Sequence, residues 1–195
     1  MTLVVPTRER LLRAAQELIE EGGYATASVA AIAERAGVAA GTLYRHFESK
    51  EDLFVEVFRA VCSGEERAMR AASAEMAELG AAARLEEVLA TFAERALRNP
   101  RLAWALIAEP VDPLVDAERL AYRERYAAVI AEGLRAGIEG GELPPQNVEL
   151  TAAALVGGCG EALVGPLSPV AGAPPETEEI VAALRTFVRR AVGAA

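Results

Sequence analysis

Residues Ala33 to Lys50 read AERAGVAAGTLYRHFESK, two short helical segments joined at a glycine and followed by the start of a third. Gly37 closes an amphipathic run carrying Val29, Ile32, Ala33 and Ala36. Glycine ends helices readily because it takes a left-handed backbone without a side-chain penalty. The spacing predicts a second short helix over Val38–Phe47, with Leu43 and Phe47 four residues apart on one face. Thr42, Arg45 and His46 occupy the other face, with Tyr44 between the two. A short helix that buries two large side chains and turns donors outward is suited to being held against a polar surface. Helix-turn-helix modules lay such a second helix in the major groove of DNA.

Working outward, Leu11, Leu12, Ala15, Leu18 and Ile19 predict a first helix, with Thr7 as its cap and Gly22-Gly23 as its end. Ser28 is placed to cap the helix Val29–Ala36. Ser49 and Asp52 fit a capping-box variant ahead of Leu53, Phe54, Val57, Phe58 and Val61, a fourth helix expected to reach about Leu79. Further helices are predicted over Leu85–Arg98, Arg101–Ala108, Asp116–Gly137 (with Leu120 on its apolar face), Val148–Val164 behind Asn147, and Glu176–Val192. A loop is predicted over Pro166–Pro175. No stretch alternates as a strand does. The expected fold is all-α, with about nine helices. A three-helix helix-turn-helix domain over 1–50 continues into the fourth helix (49–79), and a helical bundle for effector binding and dimerisation spans 51–195.

The chain has 195 residues, enough for a full core, and a formal charge of −9. Residues 1–50 carry six Arg or Lys and six Asp or Glu, so the acidic excess lies wholly in the later part. Such a body repels DNA and makes binding depend on a well-aimed patch, not on bulk phosphate neutralisation. No uninterrupted apolar run reaches about 18 residues, so no membrane span or membrane partner is expected, and the N-terminus lacks the pattern of a signal peptide. Cys62 and Cys159 are expected as reduced thiols, which suits a cytoplasmic location.

The stretch SVAAIAERAGVAAGTLYRHFESKEDLFVEVF, from Ser28 to Phe58, resembles the DNA-binding domain of the TetR family of transcriptional repressors. The later helices resemble that family's ligand-binding, dimerising body only in number, loop placement and length. The resemblance implies a homodimer whose two recognition helices enter successive major grooves of a double-stranded operator, and an effector in the body that alters their spacing. It also implies roles for particular residues. Ala39, Ala40, Gly41 and Thr42 would open the recognition helix against phosphate or base edges. Tyr44 would meet a phosphate, Arg45 a base or phosphate, and His46 the DNA backbone. Lys50 and Ser28 would each meet a phosphate. The chemistry of Lys50, the chain's only lysine, agrees: it falls in a helix's first turn, where the dipole disfavours a cation unless an anion lies near.

Catalytic patterns are sparse. One histidine excludes a two-His zinc helix, and the single lysine follows Ser49 rather than a Walker-type glycine. Gly158-Cys159-Gly160 lacks the rest of a dinucleotide fingerprint, and these glycines are expected to allow close helix approach. No enzyme activity and no cofactor or metal is expected.

An apolar pocket for an unknown small-molecule effector is expected among Leu89, Phe92, Trp104, Ile107, Tyr122 and Tyr126, with Arg123, Cys159 and Glu161 as polar anchors. The apolar last two helices suggest a dimer interface through Leu155, Leu163, Ile180, Leu184, Phe187 and Val188. The sequence therefore reads as a homodimeric repressor released from its operator by a small, largely apolar effector. The alternatives are a helical small-molecule-binding protein without regulatory DNA binding, and a helical enzyme using the same cavity.

Overall fold

The computed structural model describes residues 5–170, 172 and 175–194. Among them the chain forms eight α-helices and one 3-10 helix, with no strand: α1 (Thr7–Gly22), α2 (Val29–Ala36), the 3-10 helix Ala40–Arg45, α3 (Lys50–Glu75), α4 (Ala81–Arg98), α5 (Pro100–Ile107), α6 (Pro113–Glu139), α7 (Val148–Leu167) and α8 (Thr177–Ala191). The all-α class expected from periodicity is what the chain adopts.

Side chains set most of the starts. The Ser28 hydroxyl accepts from Ala31 N–H (3.2 Å), Asn99 Oδ1 from Leu102 N–H (3.3 Å), Asp112 Oδ1 from Leu114 N–H (2.9 Å) and Asn147 Oδ1 from Leu150 N–H (3.0 Å). Ser49 Oγ accepts from Asp52 N–H at 3.0 Å and donates to the Asp52 carboxylate at 3.0 Å, closing α3's first turn. Thr7 is no cap. The Pro6 carbonyl already accepts from Arg10 N–H (3.1 Å), so the helix starts one residue earlier and Thr7 is its first member.

Several boundaries differ from the sequence expectation. The segment after Gly37 is a 3-10 helix of six residues, not an α-helix over Val38–Phe47. Its Thr42 N–H reaches back three residues to the Ala39 carbonyl (2.8 Å), the tighter spacing that short connectors adopt. The helix α3 stops at Glu75, four residues short of Leu79. The helix α4 begins at Ala81 rather than Leu85 because the Glu142 carboxylate accepts from Ala81 N–H at 2.7 Å, a cap delivered from 61 residues away. The helix α6 begins at Pro113, whose missing N–H costs nothing at the first helical position. The helix α7 runs through Pro166 to Leu167, so the predicted loop begins at Ser168; Ala171, Ala173 and Pro174 of that loop lie outside the described residues. Leu120, expected on the buried face of α6, is 60% exposed.

The first three helical segments form a small tripod. Leu11, Ala15, Ile19, Ile32, Leu43 and Leu53 are fully or almost fully buried at its centre, joined by Phe47. The helix α3 runs from this tripod into the body, where it packs between α4 and α6. The helix α8 lies along α4, α7 lies along α6, and α5 bridges back to α1. The core is continuous from one end to the other. Ion pairs lace the long helices: Glu86, 6% exposed, meets Arg189 Nε at 2.9 Å, and Glu87 meets Arg185 at 2.7 Å, clasping α4 to α8.

By length and composition alone α7 is long and apolar enough to cross a membrane, although Glu149 and Glu161 interrupt its apolar run. Only 28% of its most apolar window is buried within the chain. Its inner face packs through Leu155, Cys159 and Leu163, and its outer face carries Leu150, Ala154 and Glu161.

Candidate nucleic-acid interface and effector cavity

The turn between α2 and the 3-10 helix is fixed from several sides. Gly37 has φ +65°, and its N–H reaches the Glu34 carbonyl at 3.0 Å, while Val38 N–H reaches Ala33 at 2.9 Å. The Arg10 guanidinium donates to the Ala36 carbonyl and to the Gly37 carbonyl (3.1 Å), tying α1 to the turn. Leu43 (0% exposed) and Phe47 (5%) anchor the following segment. Tyr44, Arg45 and His46 are all exposed, Tyr44 to 58%. Ala39, Ala40 and Gly41 are also exposed and Thr42 is half-buried.

Ser28 is exposed at the start of α2. Its oxygen is engaged as an acceptor, so its proton remains available for a second partner. Lys50 begins α3 half-buried, its ammonium 5.2 Å from the centre of the Phe54 ring. The cations of this end divide into two groups. Arg8 is held by Glu56 and lies 5.0 Å from the centre of the Phe47 ring, and Arg35 is bidentate to Glu21 at 2.8 Å. Arg10, Arg13, Arg45 and Lys50 have no carboxylate within ion-pair distance among the described residues. Glu34 and Glu48 are exposed in the same stretch, so phosphate binding here depends on placement rather than net charge.

In the body, a cavity of about 500 Å³ lies among α1, α3, α4, α5, α6 and α7. Its apolar wall includes Phe58, Phe92, Leu102, Leu106, Ile107 and Val156. Tyr122 and Tyr126 also line it, with their hydroxyls committed elsewhere. Tyr122 donates to the Arg59 carbonyl (3.1 Å) and meets Ser63 Oγ at 2.7 Å, and Tyr126 donates to the Cys62 carbonyl (3.2 Å). Burial pushes the Tyr126 phenol far above its ordinary value and the Cys62 thiol up to about 12, so both stay neutral. Gln16 and Glu20 bring α1 of the tripod to the cavity's edge.

The structure brings together Phe92, Ile107, Tyr122, Arg123 and Tyr126 of the predicted pocket residues. Four others stand apart. Leu89 (2% exposed) and Cys159 (0%) are packed in the core, Trp104 rests half-buried on α5, and Glu161 is exposed on the outer side of α7. Phe58, Leu102 and Arg119 were missed because their sequence pattern is that of ordinary core and surface. Of the predicted interface residues, Leu155, Leu163, Ile180, Leu184 and Val188 are 0–9% exposed and face the chain's own core; Phe187, at 42%, is the one on the outer surface.

Arg101 and Glu109 join the cavity's α5 wall to the tripod, and Arg119 ties the end of α5 to α6. Arg101 donates to the Gly22 carbonyl at 2.6 Å, and the Glu109 carboxylate accepts from Tyr24 N–H at 3.2 Å. Arg119, 13% exposed, donates to the carbonyls of Leu106 (2.8 Å), Glu109 (2.9 Å) and Ala105 (3.3 Å) at the end of α5.

An exposed helix-turn-helix on a helical body is the build of a DNA-binding transcriptional regulator. Residues 11–57, from α1 into α3, match the family model described as bacterial regulatory proteins, tetR family. The HTH-type transcriptional regulator UidR of Escherichia coli is 28% identical over 153 residues, covering 77% of this chain and 76% of UidR. The HTH-type transcriptional repressor KstR2 of Rhodococcus jostii is 32% identical over 141 residues, covering 67% and 66%. Among solved structures, FadR from Bacillus subtilis in complex with stearoyl-CoA superposes with a TM-score of 0.75 at 22% identity, covering 96% of this chain and 98% of FadR. The chain belongs to the TetR family of transcriptional regulators.

Proposed function

We propose that the protein is a homodimeric repressor that binds a double-stranded operator in the cytoplasm and leaves it when a small molecule fills the body cavity. The observation that carries this reading is the recognition segment itself. It spends Leu43 and Phe47 on anchoring and leaves Tyr44, Arg45 and His46 free on the surface, flanked by Ser28, Thr42 and the uncompensated Lys50. Phosphate contacts from Ser28, Tyr44 and Lys50 would set register, and Arg45 is the residue with the geometry for a bidentate guanine contact. Residues 1–50 with the start of α3 serve as the DNA-binding part, and 51–195 as the effector and dimerisation part.

The outer faces of α7 and α8 support the dimer. Leu150 and Ala154 on α7, and Ala183, Phe187 and Ala191 on α8, leave an apolar surface uncovered in one chain. A second copy covering both helices would complete a four-helix contact about a two-fold axis. Release follows if the ligand favours a different α5 position, because Arg101 and Glu109 carry any α5 shift into the end of α1. Only a difference in affinity between the two conformations drives that shift. The stearoyl-CoA bound by the related Bacillus subtilis FadR supports an effector of partly apolar character.

Gel retardation with the DNA upstream of the protein's own gene tests the reading. The wild type is expected to retard it at low salt, and Tyr44→Phe and Lys50→Ala to weaken binding across all retarded fragments. Lys50→Ala also flattens the salt dependence, since one phosphate contact is lost. Unchanged affinity in both variants would overturn the phosphate assignments.

A further inference from the structure

Two features of the cavity are unexplained by the fold. The first is its charge. Arg95, Arg98, Arg119 and Arg123 line it against only Glu20 and Glu65, a surplus of two positive charges in a chain of net −9. Three of these arginines have carboxylate partners: Arg95 is bidentate to Glu65 (2.6 and 2.9 Å), Arg119 meets Asp116 at 2.8 Å, and Arg98 lies 3.7 Å from Glu94. Arg123, exposed at the cavity's edge, has none among the described residues. A guanidinium at the edge of an apolar cavity without a counterion attracts an anion, and its planar fork fits a carboxylate.

The second feature is a wall without side chains. Gly157 and Gly160 both line the cavity from within α7. Glycine in a helix interior costs about 1 kcal/mol relative to alanine. A Cβ added at either position would meet nothing within 4 Å, so close helix packing inside the chain does not require them. Neither has a positive φ. The close approach expected of this glycine run holds only at Gly158, where the Phe187 ring would lie 3.2 Å from an added Cβ. What Gly157 and Gly160 provide is room in the cavity.

We propose that the cavity selects an amphipathic anion, an apolar body ending in one carboxylate or comparable anionic group. Arg123 holds the anion, and Gly157 and Gly160 set the width open to the apolar part. This rests on the effector reading of the cavity and names the ligand's chemical class. The same chemistry is offered by a free aliphatic acid and by an acyl thioester carrying anionic phosphates.

The test is direct binding to the full-length protein, without DNA, using dodecanoate, dodecan-1-ol and dodecanoyl-CoA as probes. Titration calorimetry or the emission of the single Trp104 on α5 reports binding. Dodecanoate is expected to bind at least tenfold more tightly than dodecan-1-ol, a difference of about 1.4 kcal/mol. Arg123→Leu should reduce that preference below threefold, and Arg123→Lys should keep part of it. Gly157→Leu and Gly160→Leu should weaken dodecanoate and dodecan-1-ol alike, at least tenfold, with the light-scattering mass and the melting curve unchanged.

Tighter binding of dodecanoyl-CoA than of dodecanoate points to the thioester source, and weaker binding to the free acid; both agree with the proposal. Equal binding of alcohol and acid, an unchanged preference in Arg123→Leu, or no binding of any probe overturns it. Leucine variants that lose the dimer but keep the probe assign the glycines to the subunit contact and overturn their cavity role. Failure of operator retardation by the wild type would instead strike the repressor reading and leave these binding ratios standing.

Discussion

Replacing Arg119 by methionine tests how the end of α5 is held. The change keeps much of the apolar stem and removes the guanidinium. Three donations are lost, to the carbonyls of Ala105, Leu106 and Glu109, in a site where Arg119 is 13% exposed and Ala105 is fully buried. Carbonyls that end a helix have no intrahelical N–H partner. A charged hydrogen bond contributes about 1.5–3 kcal/mol, but the three share one side chain and the sites are partly wetted, so the combined loss is about 3 kcal/mol. The surface pair with Asp116, whose side chain is 64% exposed, adds little to this. For a chain of this size that loss lowers Tm by about 6–12 °C. Urea unfolding should show it as a lower midpoint at constant slope.

Arg119→Lys should recover less than half, because an ammonium cannot span three carbonyls as the planar fork does. Hydrogen exchange adds local detail. The Ala108 and Glu109 amides, which bond to the Trp104 carbonyl at 2.9 and 3.0 Å, should exchange faster in Arg119→Met, as should the Tyr24 amide bonded to Glu109. A stability loss below about 0.5 kcal/mol, the level of an ordinary surface substitution, would show that Arg119 does not hold the end of α5.

Two further outcomes follow from the structure. The Arg59 guanidinium beside Glu118 holds that carboxyl below its ordinary 4.5, so the pair's stabilisation is complete above pH 4.5 and fades as pH falls through the lowered value. Glu118→Gln should therefore lose less than about 1 kcal/mol at neutral pH and nothing at pH 2, as read from urea midpoints against pH. Burial holds the Cys62 thiol up to about 12 and the Cys159 thiol up to about 11, so neither should react with a disulfide reagent at pH 7.5 until the protein unfolds, when both should.

Helix existence was legible wherever caps and apolar periodicity are local. Ser28, Ser49 and Asn147 announced α2, α3 and α7, and Leu43 with Phe47 announced which side of the recognition segment turns inward. What escaped depended on distant partners. The start of α4 is set by Glu142 across a loop, which no local window contains. The pocket was half legible because Phe92 and Leu89 share one apolar helix face, yet only Phe92 borders empty space. The apolar pattern of α7 and α8 predicts a subunit contact, but most of the bulky residues serve the chain's own core, and the uncovered face is built of small residues with Leu150 and Phe187. Amphipathic periodicity identifies which residues share a side; it does not say whether that side meets the same chain or another.

The proposed repression requires two copies of Thr42–His46 to read one duplex at a fixed separation. Hydroxyl-radical footprinting of the upstream DNA by the purified protein reads that separation out. Two protected half-sites related by a two-fold axis are expected, about one or two helical turns apart, both lost in a protein carrying Tyr44→Ala and Arg45→Ala together. A single protected site bound by a monomer, or protection that survives the double substitution, would contradict it.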